Sequence, residues 1–200
     1  MVAKLLVAVQ EAAIEAESAD APSDTIERLV EGYWRVRSGL GFNKSAEEFG
    51  AIPLDPYSHT PAHSGAQQPG MTGLVKEELL SRPLEVGVQI EDGQIRFESR
   101  FLRSSELLEQ PESWQLYDVG LEMGAIQLEA GSLGMTLCQV PVVVSVTSRD
   151  PEIEVMLADG TVERHTGLRL DRPTSAKVFA RSGEVKQINA RLPKRMVEGT

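Results

Sequence analysis

Residues 84–97, LEVGVQIEDGQIRF, mark the point where the hydrophobic pattern of the chain changes from helical to extended. On both sides of the turn sequence Glu91-Asp92-Gly93, apolar residues alternate with polar or small ones, which predicts a β-hairpin. The alternating apolar residues are Leu84, Val86, Val88, Ile90, Ile95 and Phe97. The change of period therefore predicts a boundary near residue 83, between a helical segment, 1–82, and a β domain, 83–200.

Downstream of the hairpin the same pattern predicts a series of short strands joined by tight turns. Two interruptions look helical, Ser104–Glu109 and Pro173–Arg181, and Asp171 precedes the second as a capping residue. Strands at this density, without long helices between them, favour an antiparallel β-sandwich or jelly-roll-like unit over a parallel α/β sheet. The predicted strands are 114–119, 125–129, 133–138, 140–146, 153–157, 162–165 and 185–191.

Upstream of the hairpin the apolar residues recur at helical spacing, so the predicted fold class is α+β, with a partial helical domain before the β unit. A first helix ends near Ser18, and a second begins at a capping pair formed by Asp24 and Glu27. A third, 72–80, is expected to bury Leu74, Leu79 and Leu80, with Lys76, Glu77 and Glu78 on its other faces.

Composition limits the classes of partner. Thirty Asp and Glu against twenty Lys and Arg give a net charge of -10, and the absence of a basic block argues against nucleic acid. Apolar runs are too short to span a bilayer, so we expect no membrane association and a cytoplasmic location. The single cysteine, Cys138, lies in an apolar run and is expected to pack as a small hydrophobe. No glycine-rich phosphate motif occurs, and no cofactor is predicted.

The segment 50–71, GAIPLDPYSHTPAHSGAQQPGM, is the candidate site loop. A connection of this length is usually functional or disordered, and its aromatic and aliphatic residues favour an ordered loop. His59 and His63 are four apart, but Pro61 between them disfavours the helical geometry of a two-histidine metal site. We therefore predict no metal and favour a hydrogen-bonded histidine pair.

The side chains in and beside this loop suit a hydroxyl-rich ligand. Acid/base groups for catalysis are Asp55, His59, His63 and Glu77; groups that would bind substrate are Trp34, Tyr57, Gln67, Gln68 and Lys76. Structural alternatives stay open for several of them. Asp55 precedes Pro56 and can organise its own turn, Glu77 can lie on a solvated helix face, and Trp34 lies on an apolar stripe.

The helical segment ending in GLGFNKSAEEFGAIPLDPYSHTPAHSGAQQPGMTGLVKEE, residues 39–78, is followed by an all-β unit. This arrangement resembles the C-terminal part of large bacterial carbohydrate-active proteins that join an α/α toroid of the six-hairpin type to a β-sandwich. The resemblance implies glycoside hydrolase-like chemistry on a carbohydrate at a cleft between the helical and β parts. It also implies that further helices precede this segment, and it leaves open whether the chain alone is active.

Two other functions remain open from the sequence. In the first, the chain is a non-catalytic β-sandwich module for binding or assembly, and the loop is a structural plug whose histidines and glutamines satisfy buried backbone groups. In the second, unpaired helical faces and sheet edges lead to self-association.

Overall fold

The computed structural model describes residues 2–39 and 71–194. The chain forms two compact units, Met1–Arg82 and Pro83–Thr200. The predicted site loop lies outside the described residues apart from its last position, Met71. None of the helices in the described ranges is long and apolar enough to cross a membrane.

In the first unit, helices α1 (Val2–Ser18) and α2 (Ser23–Ser38) pack along an apolar stripe. Their buried apolar residues are Leu6, Ala13, Ile26, Val30, Tyr33 and Trp34. The predicted capping pair at the start of α2 is wrong, because the helix begins one residue earlier. Pro22 is the capping residue and makes no side-chain cap, while the hydroxyl of Ser23 donates to Glu27 instead.

Helix α3 (Met71–Glu85) is longer than predicted and contains Pro83. Its orientation corrects the sequence prediction: Leu79 and Leu80 are exposed, whereas Glu77 and Ser81 are buried. Glu77 and Ser81 are one turn apart and share a face. Two polar contacts hold α3 to the other helices. The side chain of Gln10 on α1 donates to the Ser81 carbonyl, and Arg37 on α2 binds Glu78.

The second unit begins with a hairpin of β1 (Val88–Glu91) and β2 (Gln94–Phe97). A short 3-10 helix, Ser104–Glu106, leads to a second hairpin of β3 (Glu112–Tyr117) and β4 (Met123–Leu128). The remaining strands are β5 (Ser132–Leu137), β6 (Val140–Thr147), β7 (Glu152–Leu157), β8 (Val162–Thr166) and β9 (Val185–Pro193), with helix α4 (Arg172–Phe179) before β9.

Strands β5 to β9 form one sheet in the order β5-β6-β9-β7-β8. Strand β9 is parallel to β6 and antiparallel to β7; the other strand pairs of the described residues are antiparallel. The central position of β9 agrees with its alternation of buried and half-buried residues. These helices followed by mainly antiparallel sheets confirm the predicted α+β class.

The core of the second unit lies on one face of the five-stranded sheet. The β1–β2 hairpin is tied to the segment before α4, since the amide of Phe97 donates to the Leu168 carbonyl and the amide of Leu170 to the Ile95 carbonyl. Asp171 caps α4 as predicted, accepting from the Thr174 amide at 2.8 Å. Buried on this face are Ile95, Phe97, Val142, Val144, Ile153, Val155, Leu170, Val178, Ile188, Ala190 and Leu192.

Candidate functional site

Six of the nine predicted site residues lie outside the described residues: Asp55, Tyr57, His59, His63, Gln67 and Gln68. The other three, Trp34, Lys76 and Glu77, lie in the first unit. Trp34 is buried, and its ring meets that of Tyr33 edge to face, with centroids 5.3 Å apart. This placement favours the packing alternative for Trp34.

Glu77 and Lys76 differ sharply although they are neighbours. The Lys76 side chain is exposed, whereas Glu77 is only 7% exposed. In the described part of the chain, Oε2 of Glu77 is buried without a hydrogen-bond partner. A buried polar atom in this state is uncommon and calls for a structural or chemical reason.

The second unit contains a cleft of about 360 Å³ between the β3–β4 hairpin and the edge strand β5. Trp114 of β3 forms part of its wall, with apolar surface from Leu108, Leu128 and Leu133. Glu106, Glu112, Ser113, Gln115 and Gly134 complete the described lining. The volume is within the range of small-molecule sites.

Gly134 on β5 determines how closely the hairpin approaches the sheet. A Cβ atom at this position would lie 2.8 Å from Cδ1 of Leu128 and 2.9 Å from Cε3 of Trp114. Both side chains therefore rest on the glycine, and a larger residue there would displace them. The absence of a side chain at Gly134 thus sets the position of the Trp114 ring.

Main-chain hydrogen bonds join the segment before β3, at Leu108, to the start of β5. The amide of Leu108 donates to the Ser132 carbonyl at 2.9 Å, and the amide of Gly131 donates to the Leu108 carbonyl at 2.8 Å. The Ser132 hydroxyl donates to the Glu129 carbonyl. The chain before β3 is therefore fixed to the turn between β4 and β5.

The far end of the hairpin is organised by Asp118. One carboxylate oxygen accepts from the amides of Gly120 and Glu122, and the other binds Nζ of Lys186 on β9 at 3.0 Å. The hydrogen bond from Lys186, followed by that from the Glu122 amide, lowers the pKa of Asp118 below its usual value. Trp114 is thus on a hairpin held at both ends.

The cleft has the chemical character of a site for a polar ring. Glu112 and Trp114 are two residues apart on β3, so their side chains leave the same face of the strand. No described strand pairs with the outer edge of β3, which leaves main-chain N–H and C=O groups for a ligand. Of the described lining residues, none is Lys or Arg.

A separate charged cluster lies on the opposite face of the five-stranded sheet from the core. Arg191 binds Glu152 at 2.6 Å and Glu154 at 2.9 Å, and Arg164 binds Glu154 at 3.1 Å. Partial burial acts to raise the pKa of Glu154, but the hydrogen bond from Arg164 and the charge of Arg191 outweigh it and lower the pKa. These charges satisfy one another, so we assign the cluster to strand pairing.

His165, which the sequence places in a strand, is half-buried on β8. Its Nε2 is buried without a hydrogen bond in the described residues, and Oε2 of Glu163 lies 3.9 Å away. Cys138 packs against the core as expected, but it lies in the β5–β6 turn with a φ of 52°. Within the described ranges, no three His, Cys, Asp or Glu residues are grouped so that they could hold a metal ion.

No protein-family model matches the chain, and no curated protein matches it.

Trp114 is the candidate site residue that the sequence did not single out. The sequence predicts a strand at 114–119, whereas the candidate site residues lie in and beside the loop 50–71. The sequence does contain a signal for Trp114: one of the chain's two tryptophans lies within the polar run Glu112-Ser113-Trp114-Gln115. A large aromatic residue among exposed polar neighbours on a strand is a common feature of binding surfaces.

Proposed function

We propose that the second unit binds a carbohydrate, or another hydroxyl-rich small molecule, in the Trp114 cleft. The proposal rests on one observation: Trp114 and Glu112 both line the cleft, and their side chains leave the same face of β3. An indole face packs on the C–H surface of a sugar ring, while carboxylate and main-chain groups bind hydroxyls. This corresponds to the non-catalytic binding module that the sequence left open as an alternative to glycoside hydrolase-like chemistry.

Calorimetric titration of the 200-residue chain with a panel of mono- and oligosaccharides tests the proposal. Trp114→Ala should weaken binding at least about tenfold, the typical effect of removing a central aromatic contact, and Trp114→Phe should weaken it less. Tyr117→Ala is the matched control, because Tyr117 is an exposed aromatic residue of the same strand outside the cleft lining. Equal losses in Trp114→Ala and Tyr117→Ala, with both variants folded, would argue against the cleft.

A second candidate is glycoside hydrolase-like catalysis with Glu77 as an acid/base group, and the buried Oε2 of Glu77 supports it. Hydrolysis would require a second carboxylate across the scissile bond. Asp55 is the predicted partner, and it lies outside the described residues.

Glu77→Gln keeps the size of the side chain and removes its acid/base function, so this candidate predicts loss of glycoside hydrolysis with an unchanged melting temperature. Glu31→Gln, at an exposed position of α2, is the control. A fall in melting temperature with full retention of activity would instead assign Glu77 a structural role.

Membership of the toroid-plus-sandwich type of carbohydrate-active protein also stays a proposal, as does self-association. A cytoplasmic location belongs with them. It is supported by the single cysteine, which cannot form an intrachain disulfide.

A further inference from the structure

The charges around the Trp114 cleft indicate which carbohydrate it would take. Two carboxylate residues, Glu106 and Glu112, line the cleft, and the described lining contains no basic residue. The chain as a whole has a net charge of -10, so its long-range field also repels anions. A sugar phosphate or a uronic acid would meet the Glu112 carboxylate there, and none of the described lining residues is a Lys or Arg that could bind the anion.

We infer that the cleft prefers a saccharide with a protonated amine, such as a hexosamine unit, over its neutral and anionic counterparts. This inference rests on the proposed function. Trp114 and Glu112 leave the same face of β3, so one ligand can contact the indole ring and the carboxylate together. An ammonium group gains from both, through attraction to the aromatic face and through a charge-assisted hydrogen bond to the carboxylate.

The hairpin fixes the position of the Trp114 ring. Trp114 rests on Gly134, and the main-chain bonds of Leu108 with Gly131 and Ser132 fix the segment before β3 to the turn between β4 and β5. A preformed aromatic face loses little conformational entropy when a ligand binds, so the exposed Glu112 side chain is the group that must be ordered.

The test compares ligands that share one ring and differ in charge: glucosamine, N-acetylglucosamine, glucose and glucuronic acid. Calorimetry on the full chain should give glucosamine an affinity about five- to tenfold higher than that of glucose, with N-acetylglucosamine near glucose and glucuronic acid weakest. The advantage of the amine should shrink as salt is added, because the contact is partly exposed.

Glu112→Gln should remove most of the amine preference and leave glucose affinity nearly unchanged. Glu122→Gln is the control, since Glu122 is an exposed carboxylate of the same hairpin outside the described cleft lining. It should keep the preference.

The outcomes separate this inference from the proposed function. Equal binding of glucosamine and glucose would overturn the amine preference and leave carbohydrate binding intact. The same would follow if Glu112→Gln weakened all the sugars equally. Absence of binding by every sugar, including longer neutral and amino oligosaccharides, would overturn both.

Discussion

Gly134 is the residue on which the geometry of the cleft depends, since Trp114 and Leu128 both rest on it. A methyl group at this position must push one of the two side chains away. We expect Gly134→Ala to lower the free energy of unfolding by about 1–3 kcal/mol, the usual cost of overpacking, and to weaken ligand binding. Urea unfolding and calorimetry measure the two effects.

Gly124→Ala is the control for this substitution. Gly124 is also a strand residue with ordinary backbone angles, and a Cβ atom there meets no atom within 4 Å. It should change stability by less than about 0.5 kcal/mol. Equal stability of the two variants would mean that the hairpin does not rest on Gly134.

Asp171 gives a prediction of pH dependence at a single residue. Hydrogen bonds from Thr174 lower the pKa of this carboxyl in the folded protein below its ordinary value of 3.8. A lowered folded pKa means that the carboxylate stabilises the fold fully above the unfolded pKa and that this contribution is lost as the pH falls through the folded pKa. At pH 7, Asp171→Ala should therefore cost about 1 kcal/mol, and less below about pH 4.

Asp171→Asn provides the comparison, because an amide oxygen still caps α4 but does not titrate. Melting temperatures from pH 7 to pH 2 should show the wild-type chain losing more stability than Asp171→Asn on acidification. Parallel curves for the two proteins would contradict the role given to the Asp171 charge.

Among the elements, α3 is held to α2 by a bidentate ion pair between Arg37 and Glu78, with N–O distances of 2.7 and 2.8 Å. The Arg37 side chain is buried and that of Glu78 is about one-third exposed, so solvent screens the pair only in part. We expect Arg37→Ala to lower the free energy of unfolding by about 2 kcal/mol. Arg35→Ala, exposed on the same helix, should change it by less than about 0.5 kcal/mol.

Urea unfolding followed by circular dichroism distinguishes the two arginine variants. An equal effect of both substitutions would show that general charge, and not the Arg37–Glu78 contact, stabilises the helical unit.

The start of the first hairpin shows why element boundaries were harder to predict than elements. The alternation from Leu84 onward is real, but α3 continues to Glu85 and β1 begins at Val88. Gly87, with a φ of +85°, makes the change of direction, and its carbonyl accepts from the amide of Glu98. Local alternation cannot reveal this, because the partner of the Gly87 carbonyl lies across the hairpin.

Helix α3 illustrates the same limit for side-chain direction. Its apolar residues gave no strong stripe, and the face that packs was set by Gln10 and Arg37, which are distant in sequence. Where the apolar stripe is strong, as in α2, the residues at helical spacing are the buried ones, including Ile26, Val30 and Tyr33. Likewise, the central place of β9 and its parallel pairing with β6 depend on long-range topology and leave no local signal.

At the scale of the whole molecule, the α+β class followed from the change of hydrophobic period near residue 83, and the structure confirms it. The candidate site in the second unit did not follow from the sequence in the same way. The sequence concentrated polar residues in a loop that is outside the described ranges, whereas the cleft in the second unit is assembled from β3, β4 and β5. Its defining contact, Trp114 on Gly134, joins residues that no local motif connects.

Saccharide binding in the Trp114 cleft is tested most directly by a two-dimensional ¹⁵N–¹H NMR titration of the full chain with neutral and amino saccharides. The two tryptophans give two indole Nε1–H signals, which Trp34→Phe assigns. Binding in the cleft predicts that the Trp114 signal shifts with saccharide concentration while the Trp34 signal stays in place. A Trp34 signal that shifts while that of Trp114 does not, or two signals unmoved by every saccharide, would contradict the proposed function.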